Sequence, residues 1–356
     1  MAEKVLMKGN EALAEAAIRA GCKMFFGYPI TPQTEVAAYM AKKLPKLEGG
    51  VFLQAESEVA AINMVYGAAG AGARVMTSSS SPGVSLKQEG ISYIAGSDLP
   101  CVIVNIVRGG PGLGGIQPAQ SDYFQATKGG GHGDYHLFVI APSSIQEGVD
   151  LTCHAFDVAD QYRVPAMIMG DGMLGQMMEP VVFPDEGSKV LPEKPWATTG
   201  TDMKREHHII NSLFIAPEEL EKLVMERQKR YDLICEKEVM VETVDCEDAD
   251  IILTAYGTIA RIAKTAKHLL AEKGIKAGVI RPITLWPFPT EAYRKAAQRK
   301  VPFLSVEMSM GQMVEDVRLA VNGAAPVHFY GRTGGMVPTP DAIVAEAMKI
   351  LGGDRA

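Results

Sequence analysis

Residues 101–108 read CVIVNIVR. A strand with one wet face alternates apolar and polar side chains, and this one is apolar almost without a break. Such a run suits a strand covered on both faces, as in a parallel doubly wound sheet. Similar short apolar runs are KMFFGYP (23–29), VFLQAE (51–56), RVMTSSS (74–80), LFVIAP (137–142) and VPAMIMGD (164–171). Between them lie segments of helical period such as SIQEGVDLTCHAFDVADQYR (144–163). The pattern predicts an α/β domain over residues 1–184.

From Phe183 to Cys246 the texture changes. FPDEGSKVLPEKPWATTGTD (183–202) reads as loop and APEELEKLVMERQKRYDLICEKE (216–238) as one long charged helix, so residues 185–246 are expected to form a linker. The alternation then resumes with ADIILTAYGT (249–258), KAGVIRPITL (276–285), VPFLSVEMS (301–309) and PVHFYGRT (326–333). A second, smaller α/β domain follows over residues 247–356.

Composition narrows the function. The chain has 356 residues, 47% hydrophobic and 22% charged, with a net charge of -7. No Lys/Arg-rich tract interleaves with aromatics, which argues against nucleic acid. No stretch reaches the roughly 18 apolar residues of a membrane span, and the start MAEKVLMKGNEALAEAAIRAG lacks the apolar core of a signal peptide, so a cytoplasmic protein without a membrane role is expected. The two nearest of the five cysteines, Cys235 and Cys246, are 11 positions apart. Neither a disulfide framework nor a chain-internal iron–sulfur or zinc site is supported, and the scattered histidines form no metal pattern.

Several stretches carry possible chemistry. FLQAESEVAAINM (52–64) sets Glu56 and Glu58 in an otherwise buried run, where a carboxylate is costly without a partner. GYPITPQTEVAAYM (27–40) passes from strand to helix, with Thr31 expected as N-cap and Pro32 at the first helical position. SSSSPGVSLKQEG (78–90) makes a similar passage, and its serines read as lining of a pocket, since the G-x-S-x-G of a serine nucleophile is absent. VRGGPGLGG (107–115) contains G-x-G-x-x-G at Gly110, Gly112 and Gly115, but GGIQPAQ is a poor helix start and the next strand ends without an acid, which disfavours nicotinamide or flavin. MGDGM (169–173) reads as an Asp-Gly turn closing a strand. The first asparagine after Asp171 is Asn211, 40 positions on and inside the linker, too far for a diphosphate–magnesium site. His132, in KGGGHGDYH (128–136), is either a loop histidine or a titratable donor facing a pocket.

Together GYPITPQTE, ESEVAAINMVYGAAGAGARVMTSSSSPGVSL, GSDLPCVIVNIVRGGPG, QSDYFQATKGGGHGDYH and VIRPITLWPFP resemble the alpha chain of the two-oxoacid:ferredoxin oxidoreductases, the pyrimidine-binding subunit of a thiamine diphosphate enzyme. The resemblance covers nearly the whole chain outside the linker. It is nearest to the branched-chain type acting on 3-methyl-2-oxobutanoate (2-oxoisovalerate), with the 2-oxoglutarate type next. It implies a thiamine-diphosphate-binding doubly wound domain followed by a transketolase C-terminal-like domain. It implies that Glu58 hydrogen-bonds the pyrimidine nitrogen N1′ and shares a proton with it, because an apolar cleft favours the protonated form of a carboxyl group. Glu56 has no matched role. Thr31 and Arg108 match positions that contact the 2-oxoacid carboxylate, and Arg suits a carboxylate because its planar fork gives two hydrogen bonds. Cofactor contacts carry over to Tyr28, Pro29, Ile30, Ser81 and Pro82.

The implied reaction is CoA-dependent oxidative decarboxylation of a 2-oxoacid, with electrons passing through iron–sulfur clusters to ferredoxin. A beta subunit would hold the diphosphate, Mg²⁺ and a cluster, joined by a gamma subunit and a ferredoxin-like subunit. Arg108 is the one fixed cation read in the pocket, with Lys87, Lys128 and His132 as the groups that could add a second. Two other classes stay open on the residues: a nicotinamide-linked reductase using GGPGLGG and a non-catalytic α/β subunit.

Overall fold

The computed structural model describes residues 4–185 and 190–353. Its main sheet has seven strands in the spatial order Thr284–Trp286, Phe138–Ile140, Pro165–Asp171, Cys101–Val107, Val75–Ser79, Met24–Gly27 and Val51–Gln54. Every neighbouring pair is parallel except the first. Every residue of Cys101–Val107 is buried, as are those of Val75–Ser79 and Pro165–Asp171. Helices cover both faces, which is why these runs do not alternate. Each Val or Ile so buried contributes about 1.5–3 kcal/mol.

The strand order decides where a ligand can sit. From Met24–Gly27 the chain goes first to Val51–Gln54 on one side, then to Val75–Ser79 on the other. That reversal opens a crevice outside the carboxyl ends of the strands, where ligands bind in open α/β sheets. Tyr28–Thr31 and Ser80–Ser81 flank it, and Arg108 leaves the next strand along.

The second sheet orders Val327–Gly331, Phe303–Glu307, Ile251–Thr254, Ala277–Pro282 and Val241–Val244, the last pairing antiparallel and the rest parallel. Two expectations change here. Val241–Val244, placed in the linker by its charged surroundings, is an edge strand of this sheet. KAGVIRPITL, read as one strand, is two strands in different sheets. Pro282 has no N–H for a ladder, and the next two amides, Ile283 and Thr284, both donate to the Met240 carbonyl at 3.1 Å, so the chain turns and pairs with Phe138–Ile140 instead. The charged helix is observed as Pro217–Lys237. Residues 186–189 of the expected loop lie outside the described residues.

Buried hydrogen bonds pin the two sheets together. Gln120 donates from Nε2 to the Tyr256 carbonyl at 3.0 Å, and its Oε1 accepts from the Met308 amide at 3.0 Å. Among the described residues no helix is long and apolar enough to cross a membrane.

Candidate functional site at the sheet switch point

The turn after Met24–Gly27 is held by its own carbonyls. Asn10 Nδ2 donates to the Pro32 carbonyl at 2.7 Å, and Arg108 Nη1 donates to the Thr31 carbonyl at 2.9 Å. Gln33 ties the loop to the sheet, donating from Nε2 to the Tyr28 carbonyl at 3.2 Å while its Oε1 accepts from the Ser78 hydroxyl. Thr31 is therefore not the N-cap. The helix begins at Thr34, with Gln33 in the cap position and no side-chain cap. The residue before a proline is pushed away from helical backbone, and donors from three other elements hold the turn open. Thr31 itself is exposed at the crevice.

Arg108 is buried, and Ser81 fixes its backbone. The Ser81 hydroxyl donates to the Arg108 carbonyl and accepts from the Arg108 amide, both at 3.1 Å. That hydroxyl is committed to positioning Arg108, so any ligand contact at Ser81 comes from its other atoms. Arg108 Nη2 donates to the Leu113 carbonyl at 3.2 Å, whereas Nε is buried without a partner. The guanidinium is thus gripped by two backbone carbonyls and keeps unmatched N–H capacity. Thr31 and Arg108, far apart in sequence, meet through one hydrogen bond.

Glu58 opens the helix Glu58–Gly70, capped by Ser57, whose hydroxyl accepts from the Ala60 amide at 3.2 Å. Its side chain is buried, and no hydrogen-bond donor among the described residues reaches its carboxylate. Glu56 is exposed. Gly83, near the start of the helix Ser81–Gly96, packs directly on this carboxylate: a Cβ there would lie 2.7 Å from Glu58 Oε1 and 2.2 Å from Ser79 Oγ. The Ser79 and Ser80 hydroxyls are buried without partners. The crevice floor therefore offers one carboxylate and two hydroxyls with unmet hydrogen-bonding capacity, an unusual surplus for a buried site.

Of the three residues that the sequence offered as a second cation, Lys87 is the one that stands at this floor. Lys87 is fully buried, and its Nζ donates to Thr77 Oγ1 at 3.0 Å. Burial pushes its amine down to about 8, and Glu58 is the charge that opposes this. Its burial has a periodic signature: Val84, Lys87, Ile91 and Ile94 fall on one helical stripe, and all four are fully buried. Arg108 is therefore not the only cation beside the crevice.

The other candidates fall away from it. Lys128 pairs with Asp316 of the second domain. His132 is exposed, with its ring edge-on to Tyr93. Asp171 ends its strand, accepts from the amides of Met173 at 2.8 Å and Leu174 at 3.1 Å, and takes the Thr258 hydroxyl on its other oxygen, so both oxygens serve the fold. No helix starts within Gly110–Gly115, and the next one, Tyr123–Thr127, is a single short turn.

A cavity of about 990 Å³ adjoins the Thr31 turn, lined on one side by Thr31, Pro32 and Glu35 and on the other by Gly335 and Val337. The second domain reaches it through the Gly334–Gly335 turn, which lies against Gly109 and Gln117. Gly335 has φ +93 and a Cβ there would sit 2.4 Å from Gln117 Cβ, so only glycine allows this approach.

Residues 15–251 match the family described as pyruvate flavodoxin/ferredoxin oxidoreductase, thiamine diphosphate-binding, and residues 249–343 match pyruvate:ferredoxin oxidoreductase core domain II. The chain is 48% identical over 347 residues to ketoisovalerate oxidoreductase subunit VorB of Methanothermobacter marburgensis, covering 98% of each. It is 38% identical over 392 residues to 2-oxoglutarate synthase subunit KorA of Methanothermobacter thermautotrophicus, covering 98% of this chain and 100% of that one. Among solved structures it resembles 2-oxoglutarate:ferredoxin oxidoreductase from Magnetococcus marinus, with a TM-score of 0.84 and 26% identity over 98% of this chain and 66% of that one. A split-gene transketolase shares the fold, with a TM-score of 0.60 at 14% identity over 97% of this chain and 98% of that one. This chain belongs to the 2-oxoacid:ferredoxin oxidoreductase family of enzymes.

Proposed function

We propose that this chain is the pyrimidine-binding alpha subunit of a CoA-dependent 2-oxoacid:ferredoxin oxidoreductase acting on branched substrates, 3-methyl-2-oxobutanoate first. One observation carries the assignment of the site: a buried carboxylate at the switch point, Glu58, with no donor of its own. The residues present suit the pyrimidine half of thiamine diphosphate. Gly83 leaves the space, Glu58 offers an acceptor for N1′, the unpaired Ser79 hydroxyl lies against the same glycine, and the next hydroxyl along the chain, Ser80, is also buried without a partner. Tyr28, Pro29, Ile30, Ser81 and Pro82, which follow the strands Met24–Gly27 and Val75–Ser79, would supply the remaining contacts to the cofactor. When bound, the cofactor supplies the electron sink for decarboxylation.

Glu58 holds and returns the proton at N1′. Arg108, fixed by Ser81 and by the Thr31 and Leu113 carbonyls, takes the substrate carboxylate with its remaining N–H groups. The exposed Thr31 borders the same space. Both Asp171 oxygens are engaged within the fold, which supports assigning the diphosphate and Mg²⁺ to a partner beta subunit. Iron–sulfur clusters belong to partner subunits, including the ferredoxin-like one, beside a gamma subunit. Coenzyme A is the acyl acceptor and ferredoxin the electron acceptor, in the cytoplasm.

The relatives' names favour a branched 2-oxoacid, with 2-oxoglutarate as the alternative. The charges agree. A second substrate carboxylate would need its own cation. Lys128 is paired with Asp316, His132 faces outward, and Lys87 is buried beside Glu58. In the purified complex, assayed with CoA and an artificial electron acceptor, kcat/KM is expected to be higher for 2-oxoisovalerate and its branched homologues than for 2-oxoglutarate. Arg108→Ala should lower kcat/KM for all 2-oxoacids alike, by roughly tenfold or more for one lost charged hydrogen-bond pair. Turnover of 2-oxoglutarate on the order of tenfold better than 2-oxoisovalerate would overturn the substrate assignment.

A further inference from the structure

We infer that Lys87 is the positioning residue of the site: its buried ammonium is the counter-charge of the Glu58 carboxylate and sets how readily a second proton enters the pair that Glu58 forms with its ligand. The inference rests on the reading of Glu58 given above.

The packing of two helices brings the residues together. On the helix Ser81–Gly96, positions 83, 87 and 90 share one face. Gly83 meets Glu58, and a Cβ on Gly90 would lie 2.5 Å from Ile62, one turn beyond Glu58 on the facing helix. The two glycines let the helices approach closely, and Lys87 stands between those two levels of contact. A leucine or methionine would fill this place without cost. A buried ammonium with a single neutral acceptor is expensive, and the Thr77 hydroxyl alone does not offset it. Glu58 is the charge that acts on Lys87. The strand Val75–Ser79, packed below, turns only the neutral hydroxyls of Thr77 and Ser79 toward the pair. Each charge is thus the other's compensation, and removing one strands the other.

A nearby cation favours the charged form of a carboxylate. Without it, a carboxylate–pyrimidine pair takes up an extra proton at higher pH, and that extra proton blocks the exchange at N1′.

The test uses the purified complex with Lys87→Met, Glu58→Gln and the double variant. In Lys87→Met the acid limb of the kcat profile is expected to move to higher pH by about one unit or more. Thermal midpoints should fall in both single variants and recover in the double variant, because the double removes both charges together. Lys87→Gln repeats the titration if the methionine variant does not assemble. An unmoved acid limb, or thermal losses that simply add, overturns the inference. Recovery of the midpoint alongside a fully active Glu58→Gln complex would instead keep the charge compensation between Lys87 and Glu58 and remove Glu58 from the cofactor's proton.

Discussion

The Glu58→Gln complex is expected to assemble normally and to lose roughly 10²–10⁴-fold in kcat, the usual consequence of removing one positioned proton-transfer group. The substitution keeps the volume and polarity that pack against Gly83, and no described donor loses a partner, because none reaches the carboxylate. The cost to folding is confined to the buried Lys87 charge that the substitution leaves uncompensated, which lowers the thermal midpoint without preventing assembly. The amide can still meet N1′ but cannot donate and recover a proton there. Glu56→Gln is the control, since Glu56 is exposed two residues away. Steady-state rates on a branched 2-oxoacid separate the two. Near-normal turnover in Glu58→Gln with a dead Glu56→Gln would mean that the wrong carboxylate has been assigned.

Gly83→Ala is expected to approach the same loss by a different route. Alanine is the better helix former by about 0.8–1.0 kcal/mol, so by propensity alone this change should stabilise the chain. The added methyl, however, would lie 2.2 Å from Ser79 Oγ and 2.7 Å from Glu58 Oε1. Both atoms end flexible side chains, so the helix can stay where it is while the serine and the carboxylate swing aside. The expected signature is a thermal midpoint close to that of the parent together with activity reduced on the order of 10²-fold, since small misplacements of catalytic groups cost about that much. Activity retained with an unchanged midpoint would show that Glu58 need not sit where the glycine lets it.

These two residues also mark how far the sequence could be read. CVIVNIVR announced a central strand because a strand buried on both faces has no polar side to show, and the expected runs around it take their places in the same sheet. Glu58, Arg108 and Thr31 could be named because motifs carry their identity. Their mutual arrangement could not: the bond from Arg108 to the Thr31 carbonyl spans elements that only the crossover order brings together. Lys87 could be named as a possible cation, but its burial could not be read, for a related reason. A lysine in an otherwise apolar stripe is usually a stem lying along the surface with its head in water. Only the two close helix contacts, at Gly83 and Gly90, show that this one has no way out. Periodicity likewise could not divide KAGVIRPITL between two sheets, because it records which side chains are buried and not which strand lies alongside.

Thiamine diphosphate binding, measured by calorimetry with Mg²⁺ present, tests the central claim most directly when the chain alone is compared with the chain assembled with its partner subunits. No tight binding is expected to the isolated chain, whose only Gly-Asp-Gly aspartate is engaged with Thr258 and the Met173 and Leu174 amides. One tight site per alpha chain is expected in the complex, weakened in Glu58→Gln. Tight binding to the isolated chain, or a complex that releases NAD(P) and no thiamine diphosphate on denaturation, would contradict the claim.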